Sequence, residues 1–266
     1  MKDILLLVHD DAGQEARFQV ALDLVRAVDG HLRCIDIAVP AIGSADCMAP
    51  GIGAALMLEE VDREARNQRV IEGRLAHEDV PWSCIDARGD PAAALRSAAR
   101  LCDVIVVDSQ LDKFPHPELS DLAGDLIVTS GKPVLAVPAD ARRFDAFGRV
   151  VIAWDGSREA EVAMRCAVPL LGHAGGVVLL EIDDGSVNLP AEAAATYLSR
   201  HGIHACVRRK QAKGRAGDAI LREIGELSPD YVVMGGFSRP RFVEQMFGGV
   251  TVQMFRQCPV PLLIAH

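Results

Sequence analysis

Short apolar runs alternate with amphipathic segments along the whole chain. The first apolar run spans Ile4 to Val8, and residues 14–28 then carry apolar side chains at helical spacing. The same criteria predict further strands at 32–39, 82–87, 104–107, 134–137, 150–154, 177–182, 204–208, 231–234 and 262–265, and helices at 56–76, 91–101, 158–171, 190–200, 218–227 and 250–257. Because strands and helices alternate, the pattern predicts an α/β fold with a mostly parallel sheet.

The pattern occurs twice. Asp10 and Asp155 each follow the first strand of a half and are 145 residues apart (155 − 10). Pro133 and Pro261 each precede the last strand and are 128 residues apart (261 − 133). The offset between equivalent residues of the two halves shortens across segment 41–55 and the helix after it. Segment 41–55 consists of small residues and glycines and is interpreted as a loop or lid. These regular offsets indicate an internal duplication.

We therefore predict two domains, at residues 1–140 and 148–266, joined by a short connector. Each is expected to be a doubly wound half with a mostly parallel five-stranded sheet, and a pseudo-two-fold axis is expected to relate the halves. Five percent aromatic and 50% hydrophobic residues favour helices packed on a parallel sheet over a β-sandwich.

Composition and charge narrow the functional classes. A formal net charge of −9 argues against nucleic acid or an anionic membrane as the main partner. No apolar run reaches about 18 residues, so no membrane span is expected. The first residues are not interpreted as a signal peptide, because their apolar core is short. The seven scattered cysteines indicate reduced thiols and a cytoplasmic protein.

The candidate chemistry lies near the end of the chain. The strand Tyr231 to Met234 runs into Gly235-Gly236, and Gly248-Gly249 precedes the helix at 250–257. A glycine turn that opens a helix points backbone N–H groups, and the positive end of the helix dipole, towards an anion. The order therefore suggests a phosphate-binding element. Motifs of known hydrolases are absent from the sequence, so neither a catalytic residue nor a metal ligand is predicted and the protein is not expected to be an enzyme.

Four motifs resemble the universal stress protein family in its tandem, two-domain form. In the order that they take within a half, they are Ala153-Trp154-Asp155-Gly156-Ser157, Gly89-Asp90-Pro91 (which lies in the first half), Val233-Met234-Gly235, and Cys258-Pro259-Val260-Pro261 before a leucine-rich strand. The resemblance implies the adenine-nucleotide α-hydrolase-like fold in each half. It also implies that the closing strands at 134–137 and 262–265 pair across the halves, so that the chain forms an intramolecular pseudo-dimer. Whether two whole chains also form a homodimer is left undecided by the resemblance.

The resemblance also implies a nucleotide site in the second half. In nucleotide-binding members the first-strand aspartate contacts the adenosine, and the glycine loop surrounds the phosphates. Carried over by position, the binding residues are Asp155, Ile182, Met234, Gly235, Ser238, Arg239, Gly248, Gly249, Val250 and Thr251. The expected ligand is ATP with Mg²⁺.

The second half departs from the family pattern at three positions. Ser238 stands where the pattern has its second glycine, and Gly249 stands where it has serine or threonine. Trp154 replaces a small aliphatic residue and would either stack near a base or fill the base pocket. Asp155 either contacts adenosine or caps the following helix, and both interpretations stay open.

The first half departs further. Asp108, Ser120 and Asp121 take the places of Gly235, Gly248 and Gly249. Two carboxylates in a phosphate loop repel the ligand and occupy its space. The first half is therefore not expected to bind ATP, and Asp10 alone does not restore a site.

Three functions follow, in decreasing order of support. The chain is a cytoplasmic, stress-response or regulatory protein that binds at most one nucleotide, in its second half. Alternatively it is a nucleotide-free scaffold that presents surfaces to an unknown protein partner, or a slow ATP hydrolase. Outside the site, Gly89-Asp90 and Gly217-Asp218 are predicted to cap helices. His9 is interpreted as an ordinary turn residue in preference to a titrating or metal-binding group.

Overall fold

The computed structural model describes residues 1–37, 52–87, 91–109, 130–183, 185, 187–211, 214–236 and 249–266. Its first half contains β1 (Asp3–Val8), α1 (Gln14–Val28), β2 (His31–Ile37), α2 (Ile52–Leu75), β3 (Trp82–Ala87), α3 (Pro91–Ala99), β4 (Val104–Asp108) and β5 (Val134–Val137). Its second half contains β6 (Arg149–Trp154), α4 (Arg158–Leu171), β7 (Gly176–Asp183), α5 (Ala191–Arg200), β8 (Ala205–Gln211), α6 (Ala216–Leu227), β9 (Tyr231–Gly235), α7 (Val250–Gln257) and β10 (Leu262–Ala265).

All ten strands form one sheet in the order β3-β2-β1-β4-β5-β10-β9-β6-β7-β8. Within each half every pairing is parallel. The halves meet where β5 and β10 pair antiparallel, with Leu263 opposite Leu135. From either outer edge to the centre, the strands of a half therefore come in the same order: third, second, first, fourth and fifth. The prediction of two doubly wound, five-stranded halves joined through their closing strands is confirmed.

Helices cover both faces of this sheet. Alternate residues of each strand point to opposite faces, so that Val150 and Ile152 join one apolar cluster and Val151 and Ala153 join the other. Residues of α1, α2, α4 and α5 pack on what we call the first face. Residues of α3, α6 and α7 pack on the second face. Both faces are buried, which explains why the strands are nearly continuous apolar runs.

The connector between the halves is packed against the protein. Phe144 is buried, and its ring centroid lies 5.0 Å from that of Tyr231 in β9. Its backbone N–H donates to a carboxylate oxygen of Asp23 in α1, at 2.9 Å. The connector therefore contacts both halves. The proposed domain limits, 1–140 and 148–266, stay a prediction.

Two helix starts differ from the prediction. Helix α2 begins at Ile52, so residues 52–55 belong to the helix and not to the loop expected at 41–55; residues 38–51 lie outside the described residues. Helix α6 has Arg215 at its N-cap, so the predicted cap at Gly217-Asp218 is wrong. Asp218 lies inside the first turn and accepts a hydrogen bond from Gln253 of α7, at 2.6 Å.

Pro91 is the first residue of α3, as predicted, because its missing N–H costs nothing there. Gly89 and Asp90 lie outside the described residues. Among the described residues, no helix is both long and apolar enough to cross a membrane.

Candidate functional site

In the second half the strand order reverses at β6. From β6 the chain moves outwards to β7 and β8 and then returns to β9 and β10 on the other side of β6. In open α/β sheets, ligands bind outside the carboxyl ends of the strands at such a reversal. Asp155 directly follows β6, and Gly235 ends β9, so both lie at this position.

Several predicted binding residues lie on the second face at this edge. Ile182 and Met234 belong to its apolar cluster and are 8% and 5% exposed. Helix α7 packs on the same face through Met254, and its first turn contains the 5% exposed Thr251. The structure therefore brings Ile182, Met234 and the start of α7, with Gly249 and Val250, to one edge of one face.

The side chain of Asp155 is exposed and organises its own turn. A carboxylate oxygen of Asp155 accepts from the backbone N–H of Ser157 at 2.9 Å, and Gly156 has a φ of 71°. Ser157 is the N-cap of α4, where its hydroxyl oxygen accepts from the N–H of Ala160 at 3.2 Å. Asp155 is therefore not the helix cap that one interpretation made of it.

Gly235 is required by packing. A Cβ at this position would lie 2.4 Å from the backbone nitrogen of Ala160 and 2.6 Å from the carbonyl carbon of Glu159. The end of β9 thus touches the first turn of α4 on the first face. Close approach of two backbones explains this glycine without any ligand.

Trp154 does not occupy the second-face crevice. Its side chain belongs to the first-face cluster, opposite to Ile182 and Met234, and is buried. The indole Nε1 donates to the carbonyl oxygen of Leu189 at 2.8 Å. Of the two interpretations, stacking near a base or filling its pocket, neither matches this position.

Residues 187–190, which we call the strap, lie across the turn after β6. The backbone N–H of Asn188 donates to the carbonyl of Asp155 at 3.0 Å. A Cβ on Gly156 would lie 2.1 Å from the backbone nitrogen of Leu189. The strap and the indole together cover the first-face side of this turn. Ser238, Arg239 and Gly248 lie outside the described residues.

The equivalent position in the first half, between β1 and β4, is filled by its own side chains. Arg17 of α1 is 1% exposed, and its guanidinium donates to Asp108 at 2.9 Å and to Asp11 at 2.7 Å. It also donates to the carbonyl oxygens of Leu7 and His9. We call Arg17, Asp11 and Asp108 the arginine cluster. The expected carboxylate is present, neutralised by a buried arginine that the sequence did not reveal.

A second polar group closes the same edge. His9 and Glu64 of α2 are both buried, with 3.1 Å between the imidazole Nδ1 and a carboxylate oxygen. Burial raises the pKa of Glu64, but the hydrogen bond and electrostatic attraction to His9, together with a hydrogen bond to Asp36 and the charge of Arg63, outweigh burial, so the net pKa lies below its ordinary value. The interpretation of His9 as an ordinary turn residue is therefore wrong. Ser120 and Asp121 lie outside the described residues.

Helix α2, in the longer part of the first half, supplies part of this closure. Besides Glu64, α2 carries Asn67, whose amide exchanges two 2.8 Å hydrogen bonds with Gln14 at the start of α1. Among the described residues, His, Cys, Asp and Glu form no group suited to holding a metal ion. The clusters of the first half are thus internal ion pairs and hydrogen bonds.

The sheet, the helices on both its faces and the reversal of strand order within each half define the class of protein, a doubled α/β fold. Residues 146–266 match the Universal stress protein family. No curated protein matches the chain. The second half therefore belongs to the universal stress protein family and, with a first half of the same topology, the chain has the tandem layout.

Solved structures of similar fold cover nearly the whole chain. A universal stress protein from Archaeoglobus fulgidus DSM 4304 superposes with a TM-score of 0.72 at 17% identity, covering 99% of this chain and 96% of that chain. A putative universal stress protein from Pseudomonas aeruginosa UCBPP-PA14 superposes with a TM-score of 0.57 at 16% identity, covering 100% of this chain and 93% of that chain. At these identities the likeness concerns the fold.

Proposed function

We propose that the second half binds one adenine nucleotide, with ATP and Mg²⁺ as the expected ligand, and that the protein acts as a cytoplasmic stress-response regulator. The observation that carries the proposal is the contrast between the two strand reversals. Between β1 and β4 the edge is filled by the arginine cluster. Between β6 and β9, Gly235 stands at the position of Asp108, and Asp155, which follows β6, is exposed.

The groups at the second-half edge suit the parts of a nucleotide. Ile182 and Met234 supply apolar surface for a flat base. The exposed carboxylate of Asp155 can accept hydrogen bonds from a ribose or an exocyclic amine. In the described part of the chain no side chain caps α7 at Gly249, so the N–H groups of its first turn and the helix dipole suit a phosphate.

Titration calorimetry with Mg-ATP tests the proposal. We expect one site per chain, and we expect Asp155→Ala to weaken binding about tenfold, since a hydrogen bond to a charged group contributes about 1.5 kcal/mol. Asp10→Ala removes the matched carboxylate of the first half and should leave the affinity unchanged. Two equal sites, or an equal loss in both variants, would contradict the assignment.

A nucleotide-free interaction scaffold is the second candidate, and the strap favours it. Residues 187–190 lie against the turn that carries Asp155, and that turn is already satisfied by internal hydrogen bonds. Native mass spectrometry of the protein as purified separates the candidates. A mass increment of one nucleotide supports binding, whereas a bare chain that also gives no calorimetric signal supports the scaffold.

Slow ATP hydrolysis is the weakest candidate. It predicts phosphate release that falls in Asp155→Ala and in Gly248→Asp. Release that is unchanged in both variants would exclude this site as its source. The six described cysteines are free thiols, which supports the proposed cytoplasmic location.

A further inference from the structure

Two cysteines face each other across the outer strands of the first half. Cys34 of β2 and Cys84 of the edge strand β3 are registered partners in a parallel pair. Registered residues of neighbouring strands share a face and lie about 4.8 Å apart. That spacing falls within the roughly 4.4–6.8 Å Cα separation of disulfides. The backbone is therefore already placed for a bond between them.

The two thiols are hydrogen-bonded and differ in exposure. Cys34 is buried, whereas Cys84 is only partly buried. Together with Val8, Asp36, Gln68 and Ile71, they line a small cleft between β3 and α2. The more exposed cysteine thus has the buried one beside it on the neighbouring strand, as a pair of attacking and resolving thiols requires.

A carboxylate completes the group. The carboxylate of Glu72 in α2 accepts a hydrogen bond from the Cys84 thiol and another from the Gln68 amide, the latter at 3.0 Å. The Cys34 hydrogen bond lowers the pKa of Cys84, and burial and Glu72 oppose it without reversing the shift. The same hydrogen bond, with burial, raises the pKa of Cys34. Cys84 is therefore the thiol that becomes the thiolate, and a thiolate is the reactive nucleophile.

We propose that Cys34 and Cys84 are a dithiol site that hydrogen peroxide oxidises to an intrachain disulfide. The Cys84 thiol gives its proton to Glu72, and the thiolate attacks one peroxide oxygen. The O–O bond breaks, Cys84 becomes a sulfenic acid, and the hydroxide that leaves takes the proton from Glu72 as water. The Cys34 sulfur then attacks the Cys84 sulfur, and the sulfenic oxygen leaves with the Cys34 proton as a second water. Both thiols are oxidised, and one peroxide is reduced.

The chain contains its own control cysteine. Cys206 is exposed on β8, the opposite edge strand, and its registered neighbour is Val178. Greater exposure alone would make Cys206 react first. The proposed pairing instead makes Cys84 react first.

Peptide mass spectrometry of the full chain after a short treatment with dilute hydrogen peroxide tests the site. A Cys47→Ser background is needed, because Cys34 and Cys47 share one tryptic peptide. We expect a cross-linked Cys34–Cys84 peptide, two hydrogens lighter than the sum of its parts, and oxidation of Cys84 at least tenfold faster than of Cys206. No cross-link while Cys84 is oxidised, or faster oxidation of Cys206, would overturn the proposal.

Two variants distinguish the roles of the partners. In Cys34→Ser the Cys84 sulfenic acid should persist and be trapped by dimedone, whereas Cys84→Ser should abolish trapping on this strand pair. Glu72→Gln should still allow the cross-link, because the disulfide forms between the two sulfurs alone. Trapping at Cys34 in Cys84→Ser, at the wild-type rate, would contradict the assigned order. The wild-type cross-link decides the existence of the site even if a variant folds poorly.

Discussion

The equivalent strands β9 and β4 end in a small residue in one half and a larger residue in the other. In each half the neighbouring helix is shaped to fit that residue. In the second half β9 ends in Gly235, which lets the Ala160 backbone of α4 approach. In the first half β4 ends in Asp108, and the glycine is on the other side of the contact. A Cβ on Gly13, at the start of α1, would lie 1.8 Å from an Asp108 oxygen. One frame can therefore fill the same space either with a side chain or with helix backbone.

The halves differ in what occupies the volume between the end of this strand and the neighbouring helix. In the first half that volume is occupied by a carboxylate, and the carboxylate requires the buried Arg17 as its counter-charge. In the second half it is occupied by the backbone of α4: the three described atoms nearest to a Cβ added at Gly235 are the Ala160 nitrogen and the carbonyl carbon and Cβ of Glu159, none of which carries a charge. The difference predicts that the same kind of substitution has unlike consequences in the two halves.

The largest effect is expected for Asp108→Ala. Among the described residues, the change leaves Asp11 as the one ionic partner of the buried Arg17, and breaking a buried pair costs about 3–5 kcal/mol. We expect the free energy of unfolding to fall by about 3 kcal/mol in urea titrations. Glu161→Ala breaks an exposed pair with Arg165 in α4 and should cost less than about 1 kcal/mol. Equal losses would mean that the arginine cluster is not the buried anchor described here.

A double-mutant cycle sharpens the same contrast. Gly13→Ala alone should destabilise the protein, because its Cβ overlaps the Asp108 carboxylate. In the presence of Asp108→Ala the same change should cost markedly less, since the overlapping atoms are gone. Additive costs would show that the two positions do not interact.

Gly235→Ala is expected to cost about 2 kcal/mol, within the range for overpacking. The added Cβ meets the backbone of α4, which cannot rotate away as a side chain could. Gly176→Ala, at the start of β7, is the matched control, because a Cβ there meets no atom within 4 Å. Thermal unfolding of both variants gives the comparison. A neutral Gly235→Ala would return this glycine to a role in ligand binding.

Trp154→Phe should cost about 1 kcal/mol, the usual net contribution of one hydrogen bond. It removes the indole donor to Leu189 and so loosens the strap from the turn. If the strap limits access to Asp155, calorimetry should also show tighter binding of Mg-ATP. Unchanged affinity would separate the strap from the crevice and weaken the scaffold alternative.

The smallest expected effect is a change in acid sensitivity. Since the folded pKa of Glu64 lies below its unfolded value of about 4.3, its ionised form stabilises the fold above that pH. This contribution is lost as the pH falls through the folded pKa. Glu64→Gln cannot titrate, so its unfolding free energy should fall less steeply between about pH 5 and pH 3.

The control for this acid titration is Glu192→Gln. A hydrogen bond from the Arg209 side chain lowers the pKa of the exposed Glu192, and solvent screens that pair. This variant should change the acid slope less than Glu64→Gln does. A larger change would contradict the importance given to burial.

Local periodicity was enough to predict most of the fold. Helices 14–28, 158–171 and 250–257 and the closing strands have the predicted bounds, because each is defined by neighbours in the sequence. The start of α2 was missed, since the small residues before Leu56 resemble a loop as much as a helix. The cap at Gly217-Asp218 was wrong, because the Asp218 side chain is engaged by Gln253 of α7 instead.

The site was less predictable, because its decisive contacts join distant residues. Arg17 and Asp108 are 91 positions apart, and Arg17 sits in a run that otherwise reads as an apolar helix face. Glu64 was one charge among many on a charged helix, with nothing nearby to indicate His9. Gly235 was assigned to a phosphate loop by its motif, and only the three-dimensional contact with α4 shows its packing role.

The antiparallel contact of β5 with β10 joins two units that one polypeptide encodes end to end. In an assembly of two identical subunits, any amino-acid change appears on both sides of the symmetry axis. Here each change appears once. A carboxylate can therefore be buried beside β1 without placing one beside β6, and a single chain can combine a sealed unit with an accessible one.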